Sequence, residues 1–205
     1  MKKLLSSVLL FTIFCLNANA QFSTYIRLTE FSGQVLTTSG MPENSAELKG
    51  NNFDPSSNQF IKVSSFKNDI EQTLSIVSTT NGAGAGKITF NDMHIIKTMD
   101  ALTPTLMQNS CSGTPFKTVE VFFVTPQNII FAKYIYKLAG IRTMAWTNTC
   151  PNGCTTLSEE IGFEYGSEII SINRAGLGEG KSGTLQAGWN RVKNVADNDP
   201  NAAVR

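Results

Sequence analysis

Through most of the chain apolar and polar positions alternate with period two, the signature of strands that bury one face. Thr24 to Phe31 sets Ile26 and Leu28 on one side and Arg27 and Thr29 on the other. Strand-like runs follow at Phe60–Phe66, Ile70–Val77, Ile88–Lys97, Thr118–Val124, Ile129–Leu138 and Ile141–Trp146. A last run, Glu159–Ile172 with a break at Gly166, alternates Ile161, Phe163 and Tyr165 with Gly162 and Glu164. Residues 39–59 carry Gly40, Pro42, Gly50, Asp54 and Pro55 and read as a long polar loop insertion with little to bury. Asn81 to Gly86 is a glycine-rich break. One helix start stands out, Asp100-Ala-Leu-Thr103-Pro104. Thr103 suits the cap, Pro104 suits the first helical position, Leu106 and Met107 follow, and Gly113 is a natural stop. There is no repeat of solenoid length. The pattern predicts one mainly β domain, an antiparallel barrel or sandwich with one short helix, over residues 21–190, followed by a flexible tail at 191–205.

A different pattern precedes the first strand. Lys2 and Lys3 stand before an apolar run from Leu4 to Leu16, and Asn17-Ala18-Asn19-Ala20 closes it in Ala-x-Ala form. This reads as a secretory signal peptide, residues 1–20, cleaved after Ala20. The run is too short for a bilayer span, and no later stretch approaches the roughly 18 apolar residues needed. Losing Lys2 and Lys3 moves the net charge from +1 to −1. That balance leaves no electrostatic footprint for nucleic acid or anionic lipid. Export puts the chain in the periplasm or outside the cell, away from cytosolic ATP and NADH. Ser, Thr and Asn make up 57 of 205 residues, which suits the weakly charged surface of an exported β protein.

Chemical motifs are sparse. Ala175 to Ser182, ending Gly180-Lys181-Ser182, has the loose form of a phosphate loop, but the stretch after Ser182 is a poor helix former and the favoured reading is a flexible glycine-rich hairpin. His94, the only imidazole, falls on a strand with no nucleophile motif nearby and reads as a surface or interface residue. Cys150-Pro-Asn-Gly-Cys154 is a turn by composition. In an exported chain its two thiols read as a small disulfide pinning a hairpin tip, contributing about 1–2 kcal/mol. Cys111 is then left over, either buried near the helix C-terminus or paired with one of the loop cysteines. Glu159, Glu160, Glu164 and Glu168 lie along one strand, mostly on its polar face. Glu159 shares the parity of Ile161 and Phe163, so it points inward and needs a partner. These residues yield no catalytic set, cofactor or metal site. Trp146 and Trp189 are the aromatics available for a binding patch, core packing being the plainer reading of Trp146.

The stretch from Ile88 through Asp100, Thr103, Pro104 and Leu106 to Gly113 resembles the haemolysin-coregulated protein (Hcp) family, which forms the tube of type VI secretion systems. There a strand leads into an Asp-x-x-Ser-Pro-x-Leu helix that ends at a Gly, and a strand comes next, here Phe116–Val124. Lys133–Trp146 looks like the family's long strand pair, the Glu159 strand like its Glu-led strand, and Gly188-Trp189-Asn190 like its Gly-Trp-Asp. The resemblance implies a small β-barrel with one flanking α-helix. It also implies a non-enzymatic protein without cofactors that closes into homohexameric rings able to stack into a tube or be secreted. Its partners are then further copies of the chain, other secretion-system components or small effectors, with no nucleic acid and no membrane span. By match, ring-interface or structural roles fall to Asp100, Thr103 (for the family's Ser), Pro104, Leu106, Gly113 and Glu159. The signal peptide, the 39–59 insertion and the 150–154 cysteine loop lie outside the family pattern. The alternative is an exported monomeric β-barrel that binds a glycan or a cell-surface partner.

Overall fold

The computed structural model describes residues 22–45, 48, 50–73, 87–148, 156–174 and 183–204. Its strands are β1 Ser23–Thr29, β2 Gln34–Leu36, β3 Pro42–Asn44, β4 Ile61–Val63, β5 Ser65–Lys67, β6 Ile70–Gln72, β7 Ile88–Phe90 and β8 Met93–Thr98. After helix α1, Thr103–Ser112, come β9 Phe116–Val124, β10 Ile130–Thr147, β11 Ser158–Asn173, β12 Thr184–Asn190 and β13 Val195–Ala196. The signal peptide, the Cys150–Cys154 loop and the phosphate-loop-like segment lie outside the described residues. The segment after that last one is strand β12, where a phosphate loop requires a helix. Among the described residues no helix is long and apolar enough to cross a membrane.

Among the described residues all strand pairings are antiparallel, and their ladder returns to its start. β1 pairs with β9, β9 with β10, β10 with β11, β11 with β8, and β8 with β5. β5 continues from β4 through Ser64, whose N–H donates to Ile96 O at 2.8 Å, and β4 pairs back onto β1. This closure makes a barrel and leaves few bare strand edges. The inward residues of the alternating runs fill it: Ile26, Leu28, Ile61, Val63, Met93, Ile95, Val119, Val121, Ile161 and Phe163, with Leu102 and Leu106 added by the helix segment.

Two strands that the pattern separates run through. β10 is continuous because Leu138 takes a left-handed conformation (φ 52°), which resets the alternation so that Tyr136 and Ala139 both face the core. β11 passes Gly166 unbroken, but the phase changes there. Glu168, expected on a polar face, lies opposite Tyr136 and is buried. The first half of β11 borders β8; its second half leaves the barrel and carries β12 and β13.

Two segments behave otherwise than their composition suggests. The insertion buries Phe53 against Phe60, the residue just after it, and against Phe122, Val124 and Ile130 of the sheet, forming a second apolar cluster. Backbone bonds from Phe53 N to Asn128 O (2.9 Å) and from Ile130 N to Asn51 O (2.9 Å) pin it there. The expected flexible tail is docked from 191 to 204. Lys137 Nζ contacts Asp197 Oδ2 at 2.7 Å and the Asp199 and Ala202 carbonyls, and Asn190 Nδ2 donates to Val204 O. Gly188 permits the approach, since a Cβ there would collide with the carbonyls of Asp197 and Glu168. Isolated glycines and polar residues show nothing of these contacts in sequence.

Candidate functional site: a buried ionic network under the helix

The inward phase of β8 runs Met93, Ile95, Lys97, so a lysine occupies a position where a third apolar residue is expected. It is fully buried and faces Glu159 across the β8–β11 ladder. Its Nζ contacts Glu159 Oε1 at 2.6 Å and Asp100 Oδ1 at 2.7 Å and donates to Thr98 O at 2.9 Å, which uses all three N–H groups of the ammonium. Thr103 Oγ1 donates to the same Glu159 oxygen at 2.9 Å and accepts from Asp100 N–H at 3.1 Å. Asp100 Oδ1 also accepts from Leu102 N–H at 3.0 Å, a turn built by the aspartate's own side chain. The end of β8, the turn, the first helical residue and the facing strand are thus held by one network.

Thr103 is therefore not the cap. Leu102 holds that position without a side-chain bond, Thr103 is the first helical residue, and its hydroxyl is engaged by Glu159 and Asp100. Pro104 sits in the first helical turn as expected, and Leu106 is fully buried in the core. At the other end Gly113 adopts φ 65° and its N–H reaches the Asn109 and Ser110 carbonyls, a left-handed stop that disfavours a Cβ. The structure thus gathers Asp100, Thr103 and Glu159 and leaves Leu106 and Gly113 in separate helix roles. Lys97, the hub, is the residue that pattern reasoning missed; its signal was a charge in the apolar phase of the strand.

With Lys97 and Glu159 at zero side-chain exposure, no solute reaches them. The arrangement orients elements and is not placed to act on a substrate. Glu159 Oε2 is buried without a hydrogen-bond partner among the described residues, so the carboxylate depends on the contacts to its other oxygen. Next to the network Met99 N–H donates to Leu157 O, Trp146 faces Glu159 in register, and the side chains of Met99, Trp146 and Leu157 are each at least 40% exposed. Trp146 is accordingly a surface residue, not a core one.

Further along β11, Glu168 Oε2 accepts from Asn68 Nδ2 at 3.0 Å beside Tyr136 and Tyr165. Burial, then the Glu168 charge, pushes both phenols well above their ordinary ionisation range. His94 Nδ1 lies 3.1 Å from Glu160 Oε1 as a cross-strand pair on the outer face. Cys111 is a free, exposed thiol in the last helical turn, neither buried nor bridged. Among the described residues no three of His, Cys, Asp and Glu converge on a metal-sized site.

Fold and network together define a small antiparallel barrel whose polar heart serves architecture. The chain belongs to the Hcp family: the model of "Type VI secretion system effector, Hcp" matches residues 26–170. Among solved structures it is similar to a type six secretion system protein, with TM-score 0.66 and 20% identity over 86% of this chain and 100% of that one. It is also similar to Hcp1 from Salmonella typhimurium, with TM-score 0.61 and 14% identity over 86% of this chain and 99% of that one. A third likeness is to a type VI secretion system effector from Yersinia pestis, with TM-score 0.54 and 15% identity over 82% and 98%. At these identities the likeness is one of fold. Comparison with curated proteins finds no match.

Proposed function

We propose that this chain is a non-enzymatic, exported structural subunit of the Hcp type that closes into six-membered rings, which stack or are released as such. The observation that carries the reading is the buried Lys97–Glu159–Thr103–Asp100 network, which joins residues marked by the family resemblance and holds the helix rigidly on the barrel. A ring subunit needs such stiffness because each copy must present the same two complementary faces. Met99, Trp146 and Leu157 supply exposed apolar surface beside the network for one of those faces. The apolar, lysine-led leader supports export.

Light scattering with negative-stain microscopy on residues 21–205, purified without reductant, tests this. Six-subunit rings are the expected result. A monomer at high micromolar concentration overturns the reading and leaves an exported barrel that binds a glycan or a cell-surface partner.

A further inference from the structure

Beside the docked C-terminal segment, a groove of about 930 Å³ runs over the outer face of β1, β9 and β10. Its wall at 200–204 comes from a segment whose docking composition did not announce, and it lies beyond the family match at 26–170. Among the described residues Arg27, Lys117 and Lys133 line the groove with one carboxylate, Glu120. Arg27 Nε donates to Glu120 Oε2 at 2.6 Å and Lys133 Nζ reaches Glu120 Oε1 at 3.4 Å. Lys137, also at the groove, is neutralised by Asp197. Three cations against one carboxylate leave a surplus of two positive charges in one groove of a chain whose total is +1. Arg27 and Glu120, at 12% and 9% side-chain exposure, offset each other as a buried pair, so the surplus rests on Lys117 and Lys133.

Ile135, two residues from Lys133 on β10, is buried and closes the floor, so the accessible groups of the groove are its cations. Lys133 stands opposite Phe122 on β9, five residues from Lys117, so the two lysines are spaced by about 17 Å of strand. An extended peptide of five or six residues spans that distance. A sugar chain would find only Phe31 as an aromatic platform among the described lining residues. We propose that this groove binds an extended acidic peptide segment of a partner protein, with carboxylates toward Lys117 and Lys133. This goes beyond the ring reading and does not depend on it.

The test is fluorescence anisotropy of a labelled Glu-Val-Glu-Val-Glu-Val peptide titrated with residues 21–205, with light scattering on the same samples. Saturable binding is expected, weakened at least about tenfold by Lys117→Glu with Lys133→Glu and by raising salt from about 50 to about 500 mM. A Lys-Val peptide of equal length should not bind. Circular dichroism and melting confirm that the variant is folded, and Lys117→Gln with Lys133→Gln, which leaves no introduced negative charge, should weaken binding by a smaller factor. No saturation at about 1 mM overturns the proposal, as does equal binding by the charge-reversed variant or tighter binding of an oligogalacturonate. Binding seen only when rings dissociate also overturns it, because the groove is then a subunit interface. Binding by a monomer refutes the ring and leaves the groove assignment standing.

Discussion

Lys97→Met removes the ammonium while keeping a long unbranched stem in the same space. Three contacts disappear, and Glu159 is left at zero exposure with only the Thr103 hydroxyl to bind it. Asp100 is one-third exposed and regains water, so the cost falls mainly on Glu159. Deleting one partner of a buried ion pair typically costs about 3–5 kcal/mol. A domain of this size unfolds at about 5–15 kcal/mol and loses about 2–4 °C of melting temperature per kcal/mol, so the midpoint should fall by about 6–20 °C. Lys97→Met with Glu159→Leu removes both charges and should recover most of the loss, since apolar replacement of a buried pair is commonly neutral or favourable. The Thr103 hydroxyl then keeps only Asp100 N–H, a residual cost of about 1 kcal/mol. Urea titrations of the wild type, both single variants and the double variant give the coupling energy directly. A loss under about 1 kcal/mol for Lys97→Met, or a double variant as unstable as the sum of the singles, would refute a desolvated, mutually dependent pair.

The other buried polar groups lead to two more expected outcomes. Burial alone would push the Asp197 carboxyl up, but the Lys137 ammonium and the Ser167 hydroxyl outweigh it and hold the group below its ordinary 3.8. The unfolded value is therefore the higher one, so this contribution to docking of the 191–204 segment is complete above about pH 4 and fades as pH falls through the folded value. Amide NMR signals of Val195–Asp199 should shift in that acid window before those of the barrel, and Asp197→Asn should remove the step; simultaneous loss of both sets would contradict it. Tyr136 Oη is buried without a partner among the described residues, so Tyr136→Phe should leave stability unchanged or raise it by up to about 2 kcal/mol. A melting temperature lowered by the equivalent of more than about 1 kcal/mol would show that the hydroxyl is satisfied after all.

Much of the barrel was legible because strand alternation and helix punctuation are local. Ile26 and Leu28, or Ile161 and Phe163, declare their inward face without knowledge of their neighbours. Pro104 and Gly113 act through their own backbone restrictions, so the helix span came out near its observed limits. Glu159 was recognisable as inward by parity, while its partner Lys97 was passed over, since a single charge ending an apolar strand also fits a solvated strand end. Thr103 looked like a cap because capping is the local use of threonine before a helix. Its actual bond reaches a residue 56 positions away.

By itself, then, the sequence determined an antiparallel β chain with one Pro-started, Gly-stopped helix and the features that mark the family, because these depend on each residue's own geometry and on spacings of a few residues. Only the tertiary structure decided which polar residues are buried together, that Phe53 packs the insertion onto Phe60 and the sheet, that Asp197 ties the C-terminal segment to Lys137, and that a basic groove opens beside that segment. Those outcomes rest on strand register and on the phase resets at Leu138 and Gly166, where a change of one residue turns every later side chain to the opposite face.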